Sequence, residues 1–237
     1  MLSNGACEPL RLCLGAGTRP LEGYVNCDLY PHAGIDCAFD LMAPWPFKDH
    51  SVSEIYASHV LEHLPKYDAF FREAWRVLED GGRCRIRVPE GNSRSAWSDP
   101  SHLRPWYPES FGFLQPDYVA TTHNLQFEDC PTPFEITRCG VVVARWVLDI
   151  LRWRWLYYLV QPWLHRIPDA FHELIVDIRA LKSEKSLRDY HTRRTFNAIY
   201  VCYFAWEHDW NHQITGPNTG GYVMLDVGHK GKVVGAA

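Results

Sequence analysis

Among the eight cysteines of this 237-residue chain no Cys-x-x-Cys pair occurs, which leaves zinc-ribbon and thioredoxin-type readings without support. Positive charge is not in excess either. The 24 lysines and arginines against 28 aspartates and glutamates leave a net charge of −4, so no nucleic-acid partner is expected. The first ten residues hold neither a basic stretch nor a long apolar run, and a reduced, cytoplasmic protein is the expectation. The longest aromatic and apolar stretch, 146–160, is broken by Asp149, Arg152 and Arg154 and does not read as a membrane span.

What remains is a chain able to bury a core, with 46% hydrophobic and 22% charged residues. Charge is unevenly placed: residues 1–144 carry 12 basic against 19 acidic side chains, and residues 145–200 carry 10 against 6. Short apolar runs at 11–17, 23–30, 34–42, 53–60 and 83–88 read as strands. Between the last two, 66–79 places apolar residues at 67, 70, 71, 74, 75 and 78, one face of a helix that Gly81–Gly82 is expected to stop. Strands alternating with helical or loop segments predict an α/β fold with a mainly parallel, Rossmann-like sheet. The runs 118–127 and 133–145 predict an antiparallel C-terminal hairpin, and 145–160 and 169–183 predict helices. Residues 196–206 suit a strand, and the Gly-rich 216–237 reads as loosely ordered. The organisation expected is a domain at 1–145, a helical extension at 146–185 and a C-terminal extension at 186–237.

In open α/β sheets ligands bind beyond the carboxyl ends of the strands. Here those ends carry Gly15-Ala16-Gly17, Asp28, Asp40 and Ser58-His59. Glycines let backbone approach a ligand closely, and a carboxylate ending the second strand can accept from both hydroxyls of a ribose. A dinucleotide fingerprint fits worse. It needs a third glycine where Pro20 stands, and an acid about 20 residues on, whereas Asp28 follows Gly15 by 13.

The stretches "LCLGAGTRPLEGYVNCD", "DLMAPWPFKDHSVSEIYASHVLEHL", "FREAWRVLEDGGRCRIRVPE" and "DPSHLRPWYPESF", in this order, resemble the small class I S-adenosylmethionine-dependent methyltransferases over residues 10–145. The resemblance implies S-adenosyl-L-methionine as cofactor. Gly15, Ala16 and Gly17 would pass its methionine end, Asp28 with Leu29 its ribose, Asp40 with Leu41 its adenine, and Ser58 with His59 its sulfur. The acceptor implied is a small molecule or glycan-type compound, methylated on oxygen or nitrogen. A catalytically degenerate, cofactor-binding scaffold or partner subunit is the alternative.

Three departures from the family pattern carry expectations. The link between the first two strands, 16–23, is shorter than the dozen residues a parallel crossover usually takes, so its helix should be reduced or lost. The acid often found near the start of the glycine motif is absent, with Leu12, Cys13 and Leu14 there instead. Arg83, Arg85 and Arg87 alternate with apolar residues in the fifth strand, which calls for thin cover on that face or for paired guanidinium heads.

His59, Glu62 and His63 also spell H-x-x-E-H, the pattern of a class of zinc peptidases. Its two histidines need one continuous helical face, and Pro65 leaves little room, so no metal is assigned and the peptidase stays a remote alternative. His59 and His102 are the candidates for a general base, with Asp99 either orienting His102 or opening the turn. Arg104 and Trp106 are candidate substrate contacts, although Trp106 would equally serve to anchor its loop. Segment 144–167, with tryptophans among arginines, is a candidate peripheral membrane or subunit contact.

Overall fold

The computed structural model describes residues 10–116, 132–144, 146–147, 163, 167–193 and 222–225. They build one eight-stranded sheet. The N-terminal strands are β1 (Leu10–Leu14), β2 (Val25–Asp28), β3 (Cys37–Ala38), β4 (Val52–Ser58) and β5 (Leu78–Pro89). β6 (Phe134–Val143), β7 (Phe171–Ala180) and β8 (Tyr222–Leu225) complete it. The spatial order is β3-β2-β1-β4-β5-β7-β6-β8. β1 to β5 pair in parallel and β7, β6 and β8 add antiparallel. The mixed α/β sheet is the one expected, and its order reverses between β1 and β4, where such folds bind ligands.

Leu12, Leu14, Ile55, Ala57, Ile86 and Val88 are fully buried in the central strands. Helix α1 (Tyr67–Val77) lays Phe70, Phe71, Ala74 and Val77 onto the sheet. These recur at helical spacing, and burying each large apolar side chain contributes about 1.5–3 kcal/mol. α1 ends at Val77, ahead of the glycine pair expected to stop it. Leu78 turns extended and enters β5, and residues 79–82 bulge out between Leu78, opposite Val52, and Arg83, opposite Glu54. The proline-rich 43–51 is fastened to α1 through Glu73, whose Oε2 accepts from the Trp45 amide at 2.7 Å. Arg76 donates to the Phe47 carbonyl at 2.8 Å.

Between β1 and β2 there is no helix, as the short link required. The buried Asn26 does that helix's work: its Oδ1 accepts from the Leu21 amide at 2.7 Å and its amide group donates to the carbonyls of Leu21 and Tyr24.

One expectation fails downstream. The segment 169–183 is not a helix; residues 171–180 form β7, the strand inserted between β5 and β6. The hairpin partner of β6 is therefore β7, followed by a short helix α2 (Glu184–Arg193). Within the Gly-rich end, Tyr222–Leu225 is ordered as a strand on β6. The strand expected at 118–127, the one at 196–206 and the helix at 145–160 fall outside the described residues. No helix among the described residues is long and apolar enough to cross a membrane.

Two of the three arginines of β5 are paired, and Arg83 is exposed. Arg85 makes two hydrogen bonds to Asp177, directly opposite on β7, at 2.8 and 3.1 Å. Arg87, buried, is held by Glu173, with Nε to Oε2 at 3.0 Å. Such bidentate or charge-assisted pairs satisfy a guanidinium that has left water.

Candidate active site

β1 ends in a bend whose Gly15 and Gly17 both have positive φ, 66° and 53°. The Ala16 amide donates to the Cys27 carbonyl at 3.0 Å, which seats the bend on β2. Asp28, at the end of β2, accepts from the Gly17 amide at 2.8 Å through Oδ2 and from the Leu29 amide at 2.7 Å through Oδ1. A carboxylate offers about four lone-pair sites, so roughly two remain for a ligand's hydroxyls. Asp40 follows β3, the neighbour of β2, and its Oδ1 accepts from the Met42 amide at 2.8 Å. Leu41 packs half-buried on the core. Ser58 closes β4, and Gly15, Asp28, Asp40 and Ser58 thus all sit at the carboxyl ends of adjacent parallel strands.

His59 leaves β4 with φ 55°, a strained value for a side chain with a Cβ. Its amide donates to the Arg87 carbonyl at 2.9 Å. Its ring lies between two carboxylates, with Nδ1 3.0 Å from Glu62 Oε1 and Nε2 3.4 Å from Glu173 Oε1. Hydrogen bonds to Glu173 and then to Glu62 push the imidazole up to about 9. Burial works against ionisation of Glu173, but His59 and Arg87 outweigh it and bring the carboxyl down to about 2. A charged chain therefore runs Arg87–Glu173–His59–Glu62 from β5 to the turn after β4. Burial, and then the charge of Asp28, push the Cys13 thiol beneath the bend up to about 11, so it packs as a neutral side chain.

Leu61–His63 form a single 3-10 turn, and His59 lies outside it on a strand end. The continuous helix that an H-x-x-E-H peptidase site needs is not formed. Glu62 is 1% exposed, and the loop carrying His102 closes on it, the Leu103 amide donating to the Glu62 carbonyl at 2.8 Å. In that loop Asp99 Oδ1 accepts from the Ser101 amide and hydroxyl at 2.8 and 2.6 Å, a turn-forming role. Its Oδ2 stands 3.8 Å from His102 Nε2, beyond hydrogen-bond length. Trp106 is buried against Tyr67 and Phe111, the anchor of the loop. Arg104 stacks over the Tyr67 ring at 4.7 Å and donates to the Pro65 carbonyl at 3.0 Å. Sequence reasoning passed over Glu173 entirely and weighed Glu62 only as a peptidase residue. Their signal is conjoint: Glu62 lies on the turn just after His59, and Glu173 comes from β7, an antiparallel strand two places away from β4 in the sheet.

The methyltransferase domain model matches residues 29–86, about a quarter of the chain, from the residue after Asp28 to the latter part of β5. No curated protein matches. Among solved structures, a SAM-dependent methyltransferase from Archaeoglobus fulgidus is 15% identical with a TM-score of 0.47, over 72% of this chain and 86% of that one. An S-adenosylmethionine-dependent methyltransferase from Mesorhizobium loti is 14% identical with a TM-score of 0.44, over 72% and 91%. Likenesses of that size carry no functional argument. The domain match is of another kind: residues 29–86 are similar to a methyltransferase domain, in line with the resemblance of the sequence. S-Adenosylmethionine is the cofactor this implies.

The residues present fit such a group. A Cβ placed on Gly17 would meet none of the described residues within 4 Å, so among them the bend borders open space. Beside Asp28, Leu29 and Tyr30 are 51% and 70% exposed, apolar surface that a nucleoside would cover.

Proposed function

We propose that the chain is an S-adenosylmethionine-dependent methyltransferase acting on a small-molecule or glycan-type acceptor, through oxygen or nitrogen. One observation carries this reading: Asp28 ties the glycine bend to the end of β2, at the point where strand order reverses. Bound there, the cofactor supplies a methyl group on a sulfonium, open to in-line attack. Asp28 accepts from the ribose hydroxyls and Asp40, with Leu41, frames the adenine. The bend of Gly15, Ala16 and Gly17 lets backbone pass the methionine end. Most of the rate gain in such a transfer comes from positioning.

His59 has both ring nitrogens committed to carboxylates. A ring that donates twice has no lone pair for a proton, so its role is to hold the rim as a fixed donor and positive charge near Ser58. His102 differs. Its Nδ1 faces the Ala96 carbonyl at 3.4 Å, which leaves the Nε2 lone pair open to a proton or a metal ion. Arg104 and Trp106 shape the loop that bears it.

Incubation with methyl-labelled S-adenosylmethionine and a panel of hydroxyl and amine acceptors tests the reading. Label recovered in an acceptor supports it. Binding by calorimetry with no transfer to any acceptor favours the scaffold alternative, and absence of binding removes the cofactor altogether.

A further inference from the structure

We propose that Glu62, His63 and His102 form a site for a divalent first-row transition metal ion. A carboxylate oxygen of Glu62 and one ring nitrogen from each histidine all lie within 4.8 Å of one another. Glu62 forms a buried floor at 1% exposure, the His102 side chain is 9% exposed, and His63 stands at the solvent side.

A second observation points to a cation. Glu62 Oε1 accepts from His59, but Oε2 is buried and, among the described residues, has no hydrogen-bond partner. A carboxylate oxygen taken out of water with nothing to accept from is costly, and a bound ion relieves that cost directly.

The histidines are set for the same purpose. His63 Nδ1 lies 3.3 Å from the Ser101 carbonyl and 3.1 Å from the Ser101 hydroxyl. That hydroxyl already donates its one proton to Asp99 at 2.6 Å, so both Ser101 oxygens can only accept. His63 Nδ1 therefore carries the hydrogen, and Nε2 keeps the lone pair. His102 repeats this arrangement, its Nδ1 facing the Ala96 carbonyl. Two imidazoles whose Nδ1–H is held by backbone oxygen, each with a bare Nε2, are the form in which metal-ligating histidines occur.

Around a tetrahedral ion with ligands at about 2.0–2.1 Å, ligand atoms stand roughly 3.3 Å apart. The three ligand atoms would draw together on binding. Imidazole donors favour transition metals over magnesium or calcium, which prefer oxygen. Two histidines and one carboxylate also leave coordination positions open, as in reactive rather than structural sites. An open position would take an oxygen of the acceptor and lower its pKa, with His102 then a ligand and not a base. This last role rests on the methyltransferase reading; metal binding itself does not.

The test uses the full chain, stripped of metal and titrated with Co²⁺ and, by competition, Zn²⁺. One ion per chain and a cobalt ligand-field band without thiolate charge transfer are expected. His63→Ala alters a solvent-side residue and should fold normally by its thermal transition. It and His102→Ala should lose the band, and His59→Ala, which removes the partner of Glu62 Oε1, should weaken binding roughly 10–100-fold. Failure of the wild type to bind either ion, or wild-type binding by both His63→Ala and His102→Ala, overturns the proposal. Calorimetry with S-adenosylmethionine on the metal-free chain, run separately, tells failure of this site from failure of the cofactor reading.

Discussion

A Cβ on Gly15 would lie 2.4 Å from Cγ2 of Val60, the residue that follows His59. The glycine bend and the end of β4 are therefore in contact at a spot with no room for a side chain. Gly15 also has φ 66°, which costs a residue with a Cβ about 1–2 kcal/mol. Overpacking adds typically 1–3 kcal/mol. Gly15→Ala should thus destabilise the fold by about 2–5 kcal/mol in urea unfolding, whereas Gly17→Ala, facing open space, should show the backbone cost alone. Adding Val60→Ala to Gly15→Ala tests the contact. Relative to Val60→Ala by itself, the cost of the glycine change should fall to that of the backbone, and an undiminished cost would mean that Val60 is not what the added methyl meets.

Asp28 accepts from the Gly17 amide, so it shapes the bend, and on the proposed reading it also holds the ribose. Asp28→Ala should weaken S-adenosylmethionine binding about tenfold or more, since a hydrogen bond to a charged group is worth about 1.5–3 kcal/mol. Asp28→Asn keeps an acceptor for one amide and should fall between the two. Calorimetric titration of both variants decides it, and an affinity equal to wild type in Asp28→Ala would remove this residue from the site.

The half of the sheet that holds this rim was legible because parallel strands are buried on both faces and read as apolar runs. α1 was legible for the complementary reason, its buried residues recurring every three to four positions. β7 was not. Phe171, Leu174, Ile175 and Ile178 match helical spacing, and Ile175 breaks the strand alternation that Glu173, Asp177 and Arg179 would otherwise display. Only the pairing with Arg85 and Arg87, some 90 positions away, reveals a strand, and no local window contains both partners. The candidate metal group was hidden likewise: His63 is adjacent to Glu62, but His102 arrives through a loop whose return is fixed by Leu103.

Glu173 gives a pH-dependent prediction. Its carboxyl lies at about 2 in the folded chain against an ordinary value of 4.5. A depressed pKa contributes stability that is present above pH 4.5 and is lost as pH falls toward 2. The shift corresponds to something on the order of 3 kcal/mol. Glu173→Gln also strands the buried Arg87, so the variant should be less stable than wild type at pH 7, with the gap closing in acid. Thermal unfolding of both proteins between pH 7 and 3 checks this, and a gap that stayed constant across the range would show that the carboxylate's charge does not matter.

Glu90 should behave in the opposite sense. It is 3% exposed and follows β5, with Oε2 accepting from the Asn92 amide at 2.7 Å. Burial pushes its carboxyl up to about 7; the Asn92 hydrogen bond resists this and the charge of Glu109 adds to it. A raised pKa contributes stability that is complete below 4.5 and is lost as pH rises through 7. Above that, the protein carries a buried charge that only the Asn92 amide offsets among the described residues. Glu90→Gln keeps an oxygen to accept from Asn92 and removes the ionisation. It should unfold like wild type near pH 4 and at a higher temperature than wild type at pH 8, by up to roughly 3 kcal/mol. A variant destabilised equally at both pH values would mean that the Glu90 carboxylate is compensated in the fold and is not the buried strain inferred for it.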